Sequence, residues 1–343
     1  MTTLNTHHKG HRRVTVVGLA LVLSLFTACT DKRPREIIEE PQVISQPLPV
    51  VEAVADIQFD GGVTEVHKMT VDNGSLYLTG KPFAFSRWNL SADPESPTVV
   101  FAASDNINNE FAPPDRFGPW LPDLYASGAL AVQGSRAYMS GTAGMSVVDF
   151  SDTHHPVEVS RYPAWQNDEP TSDGRFVYKA MLKQPEKNRI FGFRQQDYIY
   201  ALSTAGFPNM SLLGNVSYPG GQACCASSIA RFAGKIFLAL GTSMQIYEFT
   251  STGSLHYLGT VNNLNVVNVY ATSRYLYLHH RPISSGTSTY PTGIYVYDQS
   301  LGYVTSLPID PNEFAVHDLD THVYVNDNDV SVRVYRVLWN NIQ

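Results

Sequence analysis

One unit recurs six times along this chain, and that repetition constrains the fold more than any other feature. Its marker is a short strand with a central aromatic: "SLYLTG" around Tyr77, "RAYMSG" around Tyr138, "RIFGF" around Phe191, "KIFLAL" around Phe237, "YLYLHH" around Tyr277 and "HVYVND" around Tyr324. The aromatics are 61, 53, 46, 40 and 47 residues apart, a spacing that suits four-stranded propeller blades joined by loops of unequal length. An alternating strand follows each marker: "FSRWNLS", "MSVVDFS", "YIYALST", "MQIYEFT", "GIYVYDQ" and "VRVYRV". The last copy reaches the C-terminus without a fourth strand, while "VEAVADIQFDGG" precedes the first copy and has the pattern of an outer strand. A leading strand that completes the last blade closes the ring and removes an unpaired edge. The expectation is an all-β, six-bladed β-propeller over residues 51–343; the alternative, seven blades, needs two strands found nowhere in the sequence. No long apolar face of helical period competes with this reading.

Residues 7–13 carry Lys9, Arg12 and Arg13, and residues 14–28 form the apolar run "VTVVGLALVLSLFTA". That run is shorter than the ~20 residues of a spanning helix and has the order of a cleaved secretory signal. "FTAC" resembles the lipobox of bacterial lipoproteins. The resemblance implies cleavage after residue 28, acylation of Cys29 and, with Thr30 next in line, sorting to the outer membrane of a bacterial envelope. Several acyl chains, at ~0.8 kcal/mol per buried methylene, anchor a protein to lipid. Residues 29–50 mix charges with prolines and read as the acylated cysteine and a flexible tether. Cleavage removes three Lys/Arg and no Asp/Glu, taking the formal charge from −7 to −10. With no basic stripe, nothing favours nucleic acid as a partner.

Three cysteines occur in all. With Cys29 acylated, only the adjacent Cys224 and Cys225 remain, in an oxidising compartment. They can bond to each other, stay as thiols or pair with another molecule. Adjacent α-carbons lie ~3.8 Å apart, below the usual 4.4–6.8 Å disulfide range, so a vicinal bridge is a strained, reducible one.

"GALAVQGSRAYMSGTAGMSVVDFSDTHHPVEVSRY", residues 128–162, resembles the LVIVD-repeat family of bacterial and archaeal envelope propellers. The matching features are the aromatic after "GSRA", the Gly144 turn, "VVDFSD" and the Pro-marked turn before the outer strand. The resemblance implies an extracytoplasmic propeller and carries no assigned chemistry or catalytic residues.

In a propeller the blade-to-blade loops and the second-to-third-strand loops share one face. The chain's surplus residues fall there, in 103–127, 163–174 and 279–293. The first segment holds Phe111, Phe117, Trp120 and Tyr125 among prolines, a candidate docking surface for a protein or glycan partner. Counting back 12 residues from the blade aromatics places Glu65, Cys225, Asn265 and Asn312, with His67, Cys224 and Glu313 nearby, as a polar collar at the channel mouth. No nucleophile elbow, HExxH or phosphate loop occurs, and neither a cofactor nor a metal is expected. His279–His280 read as a bland pair at a strand end. The leading expectation is a non-catalytic binding scaffold tethered to the outer membrane. The rival is an envelope enzyme using Glu65, His67 or Glu313 as acid or base.

Overall fold

The computed structural model describes residues 49–58, 65–81, 83–104, 129–141, 144–154, 156–162, 178–194, 198–207, 209–219, 227–262, 264–281, 291–327 and 331–339. The signal, Cys29, the tether, Phe111, Phe117, Trp120, Tyr125, Cys224 and Cys225 lie outside them.

The described residues build six four-stranded antiparallel sheets. β1 (Val50–Gln58) comes first in the chain. The first blade is β2–β5 (Glu65–Asp72, Ser75–Lys81, Phe83–Asn89, Thr98–Ser104) and the second β6–β9 (Leu130–Gln133, Arg136–Gly141, Gly144–Asp149, Val157–Tyr162). The third is β10–β13 (Tyr178–Gln184, Arg189–Arg194, Tyr198–Ser203, Ser211–Ser217) and the fourth β14–β17 (Ser228–Phe232, Lys235–Ala239, Ser243–Phe249, Leu255–Asn262). The fifth is β18–β21 (Val266–Ala271, Leu276–His280, Gly293–Tyr297, Tyr303–Leu307), and the sixth has β22–β24 (Glu313–Val316, His322–Asn326, Ser331–Leu338). β1 joins the sixth blade beside β24, with Val50 opposite Leu338 and Gln58 opposite Ser331. The innermost strands β2, β6, β10, β14, β18 and β22 contact one another in sequence around the ring, β22 returning to β2. The molecule is the six-bladed propeller closed by its leading strand.

The second strands are buried on both faces because each lies between two neighbouring blades. β19 and β23 are buried throughout, which is why these segments read as near-continuous apolar runs around an aromatic. Leu76 and Leu78 of the first blade share a core with Val332, Val334 and Ile57 of the sixth. Each such buried side chain is worth roughly 1.5–3 kcal/mol. Outer strands lose this cover, and β13 is almost wholly exposed.

A bulge recurs at one place in every blade. Where the third strand pairs with the fourth, the fourth carries one extra residue: Val100, Val159, Leu213, Leu258 and Val304 in blades one to five. In blade six the extra residue is Val54 of β1. All six are Val or Leu. A bulge twists an edge away from further pairing, so the ring's rim is protected six times over. Because β1 has the same bulge as the five covalently continuous outer strands, it is a true fourth strand and not an appended arm.

The strand directions define two faces. One carries the first-to-second-strand turns and is the hairpin face; the other, the loop face, receives the ends of β5, β9 and β19 and the starts of β6, β10 and β20. Val50 pairs with Leu338 at the hairpin end of β24, so the chain enters the propeller on the hairpin face.

Candidate channel site

The inner strands start at the loop face and converge on a channel, and their register decides what lines it. Tyr77, Tyr138, Phe237 and Tyr277 pair with Thr70, Ala131, Ala230 and Tyr270, seven residues earlier. Phe191 and Tyr324 pair with Leu182 and Ala315, nine residues earlier. The third and sixth blades therefore have longer first turns, such as the 3-10 turn Pro185–Lys187. Counting back a fixed number of residues slips there by two. Inner-strand bulges add a further slip in blades one, three and five, at His67, Lys179 and Val267.

With the register known, one level of the channel can be read directly. Two residues beyond the blade aromatic, the second strand faces Lys68 in blade one, Ala180 in blade three, Ser228 in blade four, Asn268 in blade five and Glu313 in blade six. A polar layer is present, but of the residues read from sequence only Glu313 belongs to it. Glu65 sits at the start of β2, opposite Lys81, two residues nearer the mouth. His67 occupies the bulge and is half-buried. Asn265 is buried with φ 51, its carbonyl accepting from the Arg281 amide. Asn312 donates its amide to the Asn326 carbonyl at 2.7 Å, and its own carbonyl accepts from Asn268 Nδ2 at 3.0 Å.

Lys68 is the group the sequence reading missed. Its Nζ donates to Glu313 Oε2 at 2.8 Å and to the Ser227 carbonyl at 2.9 Å. Ser227 belongs to blade four, opposite blade one, so the side chain spans the channel. Burial raises the Glu313 carboxyl above its ordinary value, and the Lys68 ammonium pulls the other way. Ser228 Oγ donates to the Val269 carbonyl at 2.8 Å, tying blade four to blade five.

Nearer the hairpin face the channel is crossed again. The Tyr270 hydroxyl accepts from the Val71 amide at 2.9 Å and lies 3.1 Å from its carbonyl. Lys183 of blade three donates to Asp72 Oδ1 at 3.1 Å and to the Val132 carbonyl. The ring closure is clamped by Glu95, whose Oε1 accepts from Arg336 Nε at 2.7 Å and lies 3.2 Å from His322 Nε2. These bonds hold its carboxyl below the usual range.

His279 and His280 are not on a solvated connection. Both are buried at the end of β19, and desolvation brings each down to about 4. His279 Nε2 lies 3.0 Å from Asp310 Oδ1, and His280 Nδ1 is 2.7 Å from the Leu264 carbonyl. Among the described residues no group of three or more His, Cys, Asp or Glu side chains is gathered for a metal ion.

Fold and channel define the class: a six-bladed β-propeller with a polar channel. No family model matches the sequence, and no curated protein matches it. Many chains of solved structures resemble its fold. One, from the "Crystal Structure of Mitotic Checkpoint Complex", aligns over 88% of this chain and 96% of its own at 10% identity, with a TM-score of 0.49. At that level the likeness bears no weight on activity.

Proposed function

We propose that the protein is a membrane-tethered, non-catalytic binding propeller that engages a protein or glycan through its loop face. The observation that carries the reading is the polarity of the ring. The chain enters on the hairpin face at Val50, whereas the strand ends joined by residues 105–128, 163–177 and 282–290 lie on the opposite face. With Cys29 acylated as the lipobox resemblance implies, residues 30–49 lead from the bilayer to the hairpin face, and the long connections are presented away from it. Phe111, Phe117, Trp120 and Tyr125 then supply the aromatic contact. Rigid scaffolds with their longest loops at one end place recognition there.

The enzyme reading rests on Glu313 and its raised carboxyl. Its carboxylate is already paired with the Lys68 ammonium at 2.8 Å.

The test uses the full chain in detergent, immobilised and exposed to envelope extracts, beside a variant with residues 105–127 replaced by a short Gly-Ser linker. Recovery of a specific protein or glycan should fall at least tenfold in the variant, with unchanged circular dichroism. Equal recovery from both defeats the loop-face reading. Cys29→Ala, followed by fractionation, separately tests the anchor.

A further inference from the structure

The hairpin face, remote from the long connections, holds a cavity of about 390 Å3 to which all six blades contribute. Small-molecule sites span roughly 300–1,000 Å3, so this one has room for one or two small rings. We propose that it binds a small, uncharged polyhydroxy molecule of the mono- or disaccharide class. The proposal is independent of the loop-face reading.

Charge is the first argument. The ionisable side chains in the wall include Asp72 and Asp318 of one sign and Lys183 and Arg231 of the other. Lys183 is already neutralised by Asp72 at 3.1 Å, and Arg231 by Glu186 at 2.7 Å. An anion meets the remaining Asp318 carboxylate, whose Oδ2 accepts from the Gly74 amide at 2.9 Å, and a cation must compete with the existing pairs. A neutral ligand does neither.

Hydrogen-bonding capacity is the second. The Lys183 ammonium has three protons, of which Asp72 and the Val132 carbonyl take two. Asp72 accepts through Oδ1 and retains Oδ2. A spare donor and a spare acceptor side by side match a hydroxyl pair, since each hydroxyl donates and accepts at once. The wall also includes the half-buried Leu130 and Ile229, apolar surface suited to the C–H face of a sugar ring. Polar and apolar wall thus share the site, and the convergent polar groups fix orientation.

The test is calorimetric titration of the full chain in detergent with glucose, N-acetylglucosamine and maltose, beside choline, glycine and inorganic phosphate as charged probes. At least one sugar should bind saturably with one-to-one stoichiometry. Lys183→Met should weaken it at least tenfold, and so should Ala271→Phe, which fills the cavity without removing any bond named here. Leu213→Ala, on the exposed outer strand of blade three, should leave affinity unchanged, as should replacement of residues 105–127. Circular dichroism and thermal unfolding verify that each variant is folded. The proposal is overturned if no sugar saturates, if a charged probe binds more tightly than every sugar and is excluded by Ala271→Phe, or if sugar binding disappears with the loop replacement.

Discussion

Lys68 on the first blade and Glu313 on the sixth, 245 residues apart in the chain, meet at 2.8 Å inside the channel. Both side chains are largely buried, at 20% and 11% exposure, so each charge depends on the other for its compensation. Removing one partner of a buried pair costs about 3–5 kcal/mol, whereas replacing both with apolar groups is often nearly neutral.

Lys68→Met is therefore expected to lower stability by about 3 kcal/mol at pH 7, and Lys68→Met/Glu313→Met to recover most of it. The single variant should also acquire a pH dependence. Burial already raises the Glu313 carboxyl, and without the ammonium it rises further. A raised folded value contributes stability that is present at low pH and is lost as pH rises through it. Urea unfolding of Lys68→Met should thus show a smaller deficit at pH 5 than at pH 7.5; a deficit independent of pH refutes the pairing.

Asp320 ties the fifth blade to the sixth. Its buried carboxylate accepts from Thr272 Oγ1 at 2.6 Å, Arg274 Nε at 2.7 Å and the Tyr277 hydroxyl at 2.7 Å, while its carbonyl accepts from Trp339 Nε1 at 2.7 Å. Its φ is 59, a left-handed conformation that Asp and Asn tolerate best among non-glycine residues. Asp320→Asn should cost on the order of 3 kcal/mol through weakened charge-assisted bonds, and Asp320→Ala more. Chemical denaturation measures both, and equal losses argue against the carboxylate as the hub.

The His279–His280 pair makes the fold acid-sensitive well above the carboxylate range. Both titrate near 4 when folded against about 6.5 when unfolded. As pH falls below 6.5 the unfolded chain takes up protons that the native state refuses, so stability declines until about pH 4. The loss is on the order of 3 kcal/mol for each histidine. Unfolding free energy measured from pH 7.5 to 4.5 should slope accordingly, and His279→Asn/His280→Asn should flatten it.

The closing strand should behave as core. Ile57 of β1 is buried against the first and sixth blades, so Ile57→Ala is expected to cost about 2–5 kcal/mol. Removing residues 50–58 uncovers the β24 edge and Val332 and Val334, and the product should self-associate in light scattering. A monomeric truncate with an unchanged melting transition disproves the closure's structural role.

The sequence by itself determined the wheel. Strand alternation, the six central aromatics and the missing last strand are local signals, written in residue order, and they fixed the number of blades and the closing role of residues 51–62. The strand proper runs from Val50 to Gln58. The channel was decided only by tertiary structure. Its lining depends on the ladder register of six inner strands, and one extra residue turns a strand's side chains to the other face. The bulge at His67 and the longer first turns of blades three and six are such shifts, and no periodicity announces them. Glu313 was legible because counting back from Tyr324 lands beside it, at Asn312. Lys68 was not, because its partners lie 245 and 159 residues away and only closure of the ring brings them to it.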